Sequence, residues 1–172
     1  MKLQSENITL RALEPEDIDY LYQWENDAEN WKVSNTQAPF SRFVLEQYIA
    51  TAHQDIYSVK QLRLIICDKQ NKPVGCIDLF DFEPSHLRAG IGVLIADKTE
   101  RRKGYASEAL ELLIDYSHQT LNLHQLYCNI TIDNEASVLL FQKHGFQITG
   151  IKKQWIREGG KFIDELLLQR IR

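Results

Sequence analysis

A strand, a cationic turn and a helix follow one another between residues 91 and 119, and this unit limits the fold more than any other stretch. Apolar residues 91–95 predict the strand, residues 101–106 form the turn, and the helix is predicted over about 107–119. Backbone N–H groups at a helix N-terminus have no acceptor within the helix, and the helix dipole adds partial positive charge there. Because three consecutive cations stand beside that N-terminus, the unit predicts an anion site that suits a diphosphate.

Two common nucleotide-binding motifs do not account for this unit. The chain contains no Walker A sequence, and Ile95 stands where a dinucleotide fingerprint beginning at Gly90 and Gly92 needs its third glycine. What remains is the pattern R-x-x-G-x-A at residues 101–106. On these six residues alone, a solvent-exposed basic turn before an amphipathic helix is an equally good interpretation. The rest of the chain is needed to distinguish the two.

Length and composition predict one globular domain spanning residues 1–172. Hydrophobic residues make up 44% and charged residues 26%, as in ordinary soluble proteins, and the net charge of −4 argues against nucleic-acid binding. Apolar runs such as residues 89–96 are too short to cross a bilayer, and residues 1–6 lack the apolar core of a signal peptide. We therefore expect a cytoplasmic protein that binds neither nucleic acid nor membrane.

The cysteines and histidines show no arrangement typical of a metal site. Cys67, Cys76 and Cys128 lie in apolar, strand-like segments without a C-x-x-C pair, so buried free thiols are expected. The five histidines lack the spacing and acidic companions of a zinc site. No bound metal ion is therefore expected.

Taken in order, the segments predict an α+β fold with helices on both faces of a sheet. Alternating hydrophobicity and turn signals predict strands at 8–13, 62–67, 74–82, 89–96, 126–132, 146–157 and 161–171. Helices are expected after Pro15, after Pro39, over 107–119 and over 134–143. The buried side of the first helix is expected to consist of Ile18, Leu21, Tyr22 and Trp24. Two glycines inside the fourth strand predict a bulge or a close backbone approach.

Four stretches together carry a resemblance to a known family. The turn at 101–106 resembles the acyl-CoA pyrophosphate loop of the GNAT superfamily of acetyl-CoA-dependent N-acetyltransferases. In order and spacing, residues 74–79 resemble the strand before that family's acyl-CoA strand, residues 134–146 its asparagine-containing helix, and Gly150 with residues 160–164 its closing hairpin. The resemblance covers nearly the whole chain. Within the superfamily, the chain is similar to the branch of ribosomal-protein N-terminal acetyltransferases and spermidine or diamine acetyltransferases.

The resemblance implies both a fold and an activity. The implied fold is a single-domain GNAT fold, with a mixed, mostly antiparallel twisted sheet of about six or seven strands, helices on both faces and a splayed acyl-CoA strand. The implied reaction transfers an acetyl group from acetyl-CoA to a primary amine by direct attack in a ternary complex, with a small amine or polyamine as the acceptor. Acetylation of a protein N-terminus is one alternative, and a non-catalytic acyl-CoA-binding module is another. A homodimer is the default expectation for assembly.

The same resemblance implies where acetyl-CoA would bind. The turn and the first helical N–H groups would hold the diphosphate, and the pantetheine arm would pair with the open strand. A backbone N–H within residues 91–93 would stabilise the charge that develops on the thioester oxygen. Asn134 is suited both to contact the co-substrate and to cap its own helix. The implied co-substrate residues are Val93, Leu94, Ile95, Arg101, Arg102, Lys103, Gly104, Tyr105, Ala106, Ser107, Asn134 and Phe141.

Candidate bases lie on the strand that is expected to face the acceptor cleft. An alkyl amine is mostly protonated at neutral pH and must lose a proton before it attacks. Asp78, Asp81 and Glu83 lie on or just beyond that strand. Asp81 matches an acid of the polyamine enzymes, although a solvated carboxylate at a strand end is an equally good interpretation.

The proton-transfer residues depart from the family pattern. Many relatives carry a tyrosine at the position of Phe141 and a glutamate at the position of Gly90. Phenylalanine has no proton to donate, so the thiolate leaves unassisted or is protonated by another group such as Tyr127 or a water molecule. The implied catalytic residues are Asp81, Glu83 and Tyr127.

Overall fold

Seven strands and six helices make up the described part of the chain. The computed structural model describes residues 3–34 and 36–172, and for Val33 the backbone only. Met1 and Lys2, which begin the predicted single domain, and Asn35 lie outside the described residues. The strands are β1 (Ile8–Ala12), β2 (Leu62–Asp68), β3 (Pro73–Glu83), β4 (Arg88–Ile95), β5 (Gln125–Thr131), β6 (Gln147–Glu158) and β7 (Lys161–Ile171). The helices are α1 (Ile18–Glu25), α2 (Ala28–Ser34), α3 (Arg42–Ala50), α4 (Ile56–Val59), α5 (Tyr105–Gln119) and α6 (Glu135–Lys143).

The strands form one mixed sheet in the order β1-β2-β3-β4-β5-β7-β6. Neighbouring strands are antiparallel except β4 and β5, which are parallel. Those two strands pair over Arg88 to Gly90, opposite Gln125 to Tyr127, and the recorded register ends there. Beyond Gly90 the two strands separate into a fork. The predicted α+β class and the splayed strand are therefore confirmed.

Each face of the sheet is covered by helices. The larger core lies between one face of the sheet and helices α5 and α6, and it includes Leu64 and Ile66 of β2. The smaller core lies between the opposite face and helices α1 and α3, and it includes Ile65 and Cys67 of β2. Because successive strand residues point to opposite faces, a strand covered on both sides reads as a continuous apolar run. The sequence of β2 shows such a run.

The predicted face of α1 needs one correction, whereas α5 buries one continuous side. That side of α5 contains Ala109, Leu110, Leu113, Ile114 and Ser117. In α1, Leu21 and Trp24 are buried, whereas Tyr22 is 42% exposed. The prediction that Tyr22 is buried is therefore wrong. Its ring lies 5.2 Å from the Arg42 guanidinium, which places it on the outer side of the helix.

The predicted helix end and the predicted free thiols agree with the structure. Gly145, at φ +82, follows the last turn of α6 in the left-handed conformation that glycine adopts most readily. The three cysteines are buried and free, and burial raises the pKa values of Cys76 and Cys128 to about 12. Within residues 3–34 and 36–172, no helix is long and apolar enough to cross a membrane.

Candidate active site

The turn before α5 presents backbone N–H groups to solvent. Arg102 and Gly104 have φ values of 65° and 88°, and this positive-φ geometry makes the turn concave. In the described part of the chain, the N–H groups of Gly104, Tyr105 and Ala106 have no acceptor, and the first bonded N–H of α5 is that of Ser107, 3.0 Å from the Gly104 carbonyl. We call residues 101–107 the anion cradle. Its free donors at a helix N-terminus fit a diphosphate.

The cationic side chains of the cradle contribute less than the sequence suggests. Arg101 donates from Nε to the Ile95 carbonyl at 3.0 Å, which ties the cradle to the end of β4. Lys103 forms an ion pair with Glu100 at 2.6 Å. Arg102 is exposed. The main chain, rather than three free cations, is therefore the principal anion-binding feature.

The fork between β4 and β5 leaves one edge of β4 without a strand partner. Val93, Leu94 and Ile95 pair with β3 on their other side, where Ile95 lies opposite Gly75. All three side chains are partly buried, and the strand leads directly toward the cradle. Backbone groups on an open strand edge can pair with an extended ligand. The prediction that these residues contact the pantetheine arm stays a prediction.

A phenylalanine ring occupies the vertex of the fork, and the sequence analysis did not identify it. Phe80 of β3 lies opposite Gly90 of β4, and a Cβ added to Gly90 would stand 2.2 Å from the Phe80 Cε2 atom. The Phe80 ring also meets the Tyr127 ring edge-on, with the ring centroids 6.0 Å apart. The close approach at Gly90 is therefore made by a side chain.

The bulge expected in β4 lies in β3 instead. The register is continuous from Gly75 opposite Ile95 to Phe80 opposite Gly90, and it shifts only between Phe80 and Glu83. Three steps along β3 there match two steps along β4, so the extra residue belongs to β3. Asp81 lies inside this irregularity with φ +46, an uncommon conformation for a residue other than glycine. The shift turns the Asp81 carboxylate toward β5.

Two of the three predicted catalytic residues come together at the vertex. The Tyr127 hydroxyl donates to Asp81 Oδ2 at 3.2 Å. Burial, followed by the nearby Asp81 carboxylate, raises the pKa of Tyr127 to about 12. The phenol therefore keeps its proton at neutral pH and is available as a donor.

Glu83, the third predicted catalytic residue, is already engaged. Both of its carboxylate oxygens accept from Arg88 Nη2 at 3.0 Å. Arg88 thus occupies both Glu83 oxygens, whereas the Asp81 carboxylate accepts from the Tyr127 hydroxyl. Asp81 is therefore better placed than Glu83 to meet an acceptor amine.

Three charged side chains form a partly buried network beneath the helices α1 and α3. Arg63 of β2 donates to both oxygens of Asp78, at 2.8 and 2.9 Å, and to Glu25 of α1 at 2.5 Å. Burial alone would lower the pKa of Arg63, but Asp78 raises it well above its usual value. Two carboxylates and one guanidinium leave a net charge of −1. Asp78 is thus an ion-pair partner and not a free base.

A signal for this network was present in the sequence. Arg63 interrupts the apolar run of β2, and Asp78 interrupts that of β3. The antiparallel register of these strands, which shifts by one residue between Ile66 and Cys67, places the two residues directly opposite each other. Opposite charges at facing positions of a predicted hairpin indicate an ion pair.

The two remaining co-substrate residues lie on and beside α6. Asn134 caps this helix by accepting from the Ser137 N–H at 3.3 Å, and it lines a cleft of about 530 Å³ together with Trp31, Thr131 and Arg157. Phe141 is only 4% exposed and packs edge-on against Phe146, with the ring centroids 5.1 Å apart. The cap is confirmed, and contact of either residue with acetyl-CoA stays a prediction.

Comparison with known proteins agrees with this geometry. Residues 7–147 match the acetyltransferase (GNAT) domain, so the chain belongs to the GNAT acetyltransferase family. It is 29% identical over 145 residues to spermidine N(1)-acetyltransferase of Escherichia coli strain K12. The matched region covers 84% of this chain and 75% of that protein. The predictions of an N-acetyltransferase that uses acetyl-CoA are confirmed.

Solved structures extend the comparison to nearly the whole fold. A crystal structure of spermidine N-acetyltransferase from Vibrio cholerae in complex with CoA and spermine has a TM-score of 0.87 and 25% identity, with 95% of each chain covered. A dodecameric structure of the Vibrio cholerae enzyme in an intermediate state has a TM-score of 0.79 and 25% identity, covering 95% of this chain and 93% of that one.

Proposed function

We propose that this acetyltransferase transfers the acetyl group to a primary amine of a small polyamine or diamine. The observation that carries the proposal is the hydrogen-bonded pair of Asp81 and Tyr127 at the vertex of the fork. The network of Glu25, Arg63 and Asp78, with its net charge of −1, lies on the same face of the sheet. Negative charge on this face of the sheet favours a cationic acceptor. The similarity to spermidine acetyltransferases supports the same acceptor class.

The co-substrate is held mainly by main-chain groups in this proposal. The anion cradle binds the diphosphate of acetyl-CoA through the N–H groups of Gly104, Tyr105 and Ala106. The Ser107 hydroxyl lies beside them and is hydrogen-bonded to His144 Nε2 at 2.8 Å. Val93, Leu94 and Ile95 pair with the pantetheine arm along the open edge of β4. Asn134 contacts the arm from the other side of the fork. The acyl carbon then lies near residues 91–93.

The chemistry follows from the groups at the vertex. Asp81 accepts the proton of the acceptor ammonium, and the free amine attacks the thioester carbon, so that an N–C bond forms and the C–S bond breaks. A backbone N–H within residues 91–93 stabilises the negative oxygen, an effect typically worth about 3–4 kcal/mol. Tyr127 donates its proton to the departing thiolate and regains one from Asp81, and the nitrogen releases its second proton to solvent as the amide forms. Phe141 has no proton to donate.

A panel of acceptors tests the proposal. Spermidine, short diamines, an aminoglycoside and an N-terminal peptide are each incubated with acetyl-CoA, and release of free thiol is measured. We expect kcat/KM to be largest for spermidine or a diamine. If only the peptide turns over, the acceptor is a protein N-terminus and the polyamine assignment is wrong. If no amine turns over while acetyl-CoA still binds, the assignment also fails.

We also propose that residues 1–172 act as one domain that forms a homodimer through β6. This 12-residue strand is one of the two outer edges of the sheet, and an unpaired edge can pair with a second copy. Ile148, Ile151 and Trp155 of β6 are 43%, 51% and 60% exposed. The dodecameric relative supports self-association. Light scattering of the purified protein should give twice the chain mass, and a monomer at micromolar concentration would contradict the proposal.

A further inference from the structure

The Phe80 ring covers both glycines of β4 on the acceptor side of the sheet. A Cβ at Gly90 would stand 2.2, 2.5 and 2.6 Å from three atoms of this ring, and a Cβ at Gly92 would stand 3.8 Å from Cε1. Phe80 therefore occupies the volume into which a side chain at position 90 would extend. The ring and a side chain at position 90 exclude each other.

The vertex consequently presents an aromatic wall where a polar side chain could otherwise lie. The Phe80 and Tyr127 rings meet at an interplanar angle of 82° and together span the three strands β3, β4 and β5. Both side chains are partly exposed, so a ligand on this side of the sheet can contact them. An aromatic face attracts methylene groups, and it also attracts cations.

Negative charge flanks this wall on both sides along β3. Asp78, in the network of net charge −1, lies two residues before Phe80 on the same face, at a spacing of about 7 Å along a strand. Asp81 follows Phe80 directly and is turned toward Tyr127 by the shift in register. The order along the strand is anionic, aromatic, anionic. It matches a molecule whose nitrogens are separated by an unbroken apolar chain.

We infer that Phe80 is a specificity-determining residue, which selects acceptors carrying a continuous run of methylene groups beside the reactive nitrogen. This inference rests on the proposed function, since it assigns the acceptor to the same cleft. The methylene chain packs on the Phe80 ring while the ammonium groups face Asp81 and the Asp78 network. A polar atom in the chain loses its water against the ring without gaining a partner, so such acceptors bind more weakly.

Two diamines of equal length test the inference by binding alone. One is the α,ω-diamine of octane, and the other has two of its inner methylenes replaced by ether oxygens. Calorimetric titration into protein saturated with CoA measures their dissociation constants without turnover. We expect the all-carbon diamine to bind wild type about tenfold more tightly, because about two methylene contacts are lost in the ether. Phe80→Ala should reduce this ratio to less than about twofold.

Control variants separate selectivity from folding. Phe43→Ala removes a ring that is 67% exposed on α3, and it should keep the wild-type ratio. Phe80→Leu keeps an apolar side chain, so it should give an intermediate ratio even if the alanine variant folds poorly. Thermal unfolding of each variant reports its fold.

The outcomes distinguish this inference from the proposed function. A wild-type ratio near one, a wild-type ratio retained by Phe80→Ala, or no binding of either diamine would overturn the inference. If the all-carbon diamine binds preferentially through Phe80 but is not acetylated, the inference stands and the proposed acceptor is wrong. If both diamines are acetylated without a difference that depends on Phe80, the proposed function stands and the inference is wrong.

Discussion

The two halves of the candidate site are built in different ways. The anion cradle at residues 101–107 is a local structure, in which Gly104 and the first turn of α5 supply backbone donors. The acceptor half, at the vertex of the fork, is assembled from residues that are far apart in the sequence. Phe80, Gly90 and Tyr127 come together only through the register of β3, β4 and β5. A local backbone site can be identified from a few adjacent residues. A site made of side chains from several strands depends on how those strands pair, which a few adjacent residues do not determine.

Charge is also distributed differently between the two halves. Around the cradle, Lys103 and Lys72 form exposed ion pairs with Glu100 and Asp97, so each of these cations has a carboxylate partner of its own. At the acceptor half, the single guanidinium of Arg63 serves two carboxylates. Side-chain exposures of 17–19% mark this network as the more strongly desolvated of the two. Substitutions should therefore affect stability more at the acceptor half.

The largest expected effect is on stability, from Arg63→Ala. The variant leaves Glu25 and Asp78 close together without a cation, and loss of one partner of a buried ion pair costs about 3 kcal/mol. Urea unfolding should show this decrease in the free energy of unfolding. The control is Arg42→Ala, whose pair with Asp19 is exposed and should contribute at most about 0.5 kcal/mol. An equal decrease in the free energy of unfolding in both variants would show that the Arg63 network stabilises the fold no more than an exposed ion pair does.

The next largest effect is on catalysis, from Tyr127→Phe. The ring and its contact with Phe80 remain, while the hydroxyl that bonds Asp81 is lost. If Tyr127 protonates the thiolate, kcat should fall about 100-fold, and KM for acetyl-CoA should stay within about twofold because the cradle is untouched. Steady-state kinetics with the best acceptor of the panel measures both constants. An unchanged kcat would mean that a water molecule supplies the proton.

Much of the fold was predictable because local sequence patterns indicate most of its strands and helices. The strands follow from short apolar runs, the end of α6 follows from Gly145, and the cradle follows from the turn before α5. Helix α4 has only four residues, which is too short for a periodic signal, and α2 lies in an acidic stretch without a clear apolar face. These two helices were therefore not predicted.

The acceptor half was less predictable for a physical reason. The two glycines of β4 predicted a bulge or a close backbone approach, but the group that approaches Gly90 is a side chain. Nothing adjacent to the glycines identifies it as Phe80, ten residues before Gly90. The pairing of Asp81 with Tyr127 depends on a shift in register that leaves no pattern in the hydrophobicity of β3. Arg63 and Asp78 are different, since two opposite charges that interrupt the apolar runs of a predicted hairpin indicate an ion pair, although a register shift between Ile66 and Cys67 separates them from the turn.

Gly90→Ala tests how tightly the vertex is packed. Its new methyl group would overlap the Phe80 ring, and overpacking of this kind costs about 2 kcal/mol. Gly92→Ala on the same strand meets the ring at an ordinary contact distance of 3.8 Å and should be tolerated. In the Phe80→Ala background, the cost of Gly90→Ala should fall below about 0.5 kcal/mol. A cost that persists in that double variant would show that the backbone, and not Phe80, requires glycine.

The smallest effect isolates the cradle itself. Gly104 and Gly159, in the turn between β6 and β7, both have positive φ, and an added Cβ would meet no atom within 4 Å at either position. Alanine at each should therefore strain the backbone and destabilise the fold by a similar amount, about 1 kcal/mol. Only Gly104→Ala should also raise KM for acetyl-CoA, about fivefold, because relief of the strain turns the N–H groups of the cradle away from the diphosphate.

Since kcat depends on the groups at the vertex of the fork, it should not change in either variant. Thermal unfolding of the two variants measures the backbone strain that both share, and steady-state kinetics measures the anion binding that depends on Gly104. An equal rise of KM in Gly159→Ala would show that the cradle does not bind the diphosphate.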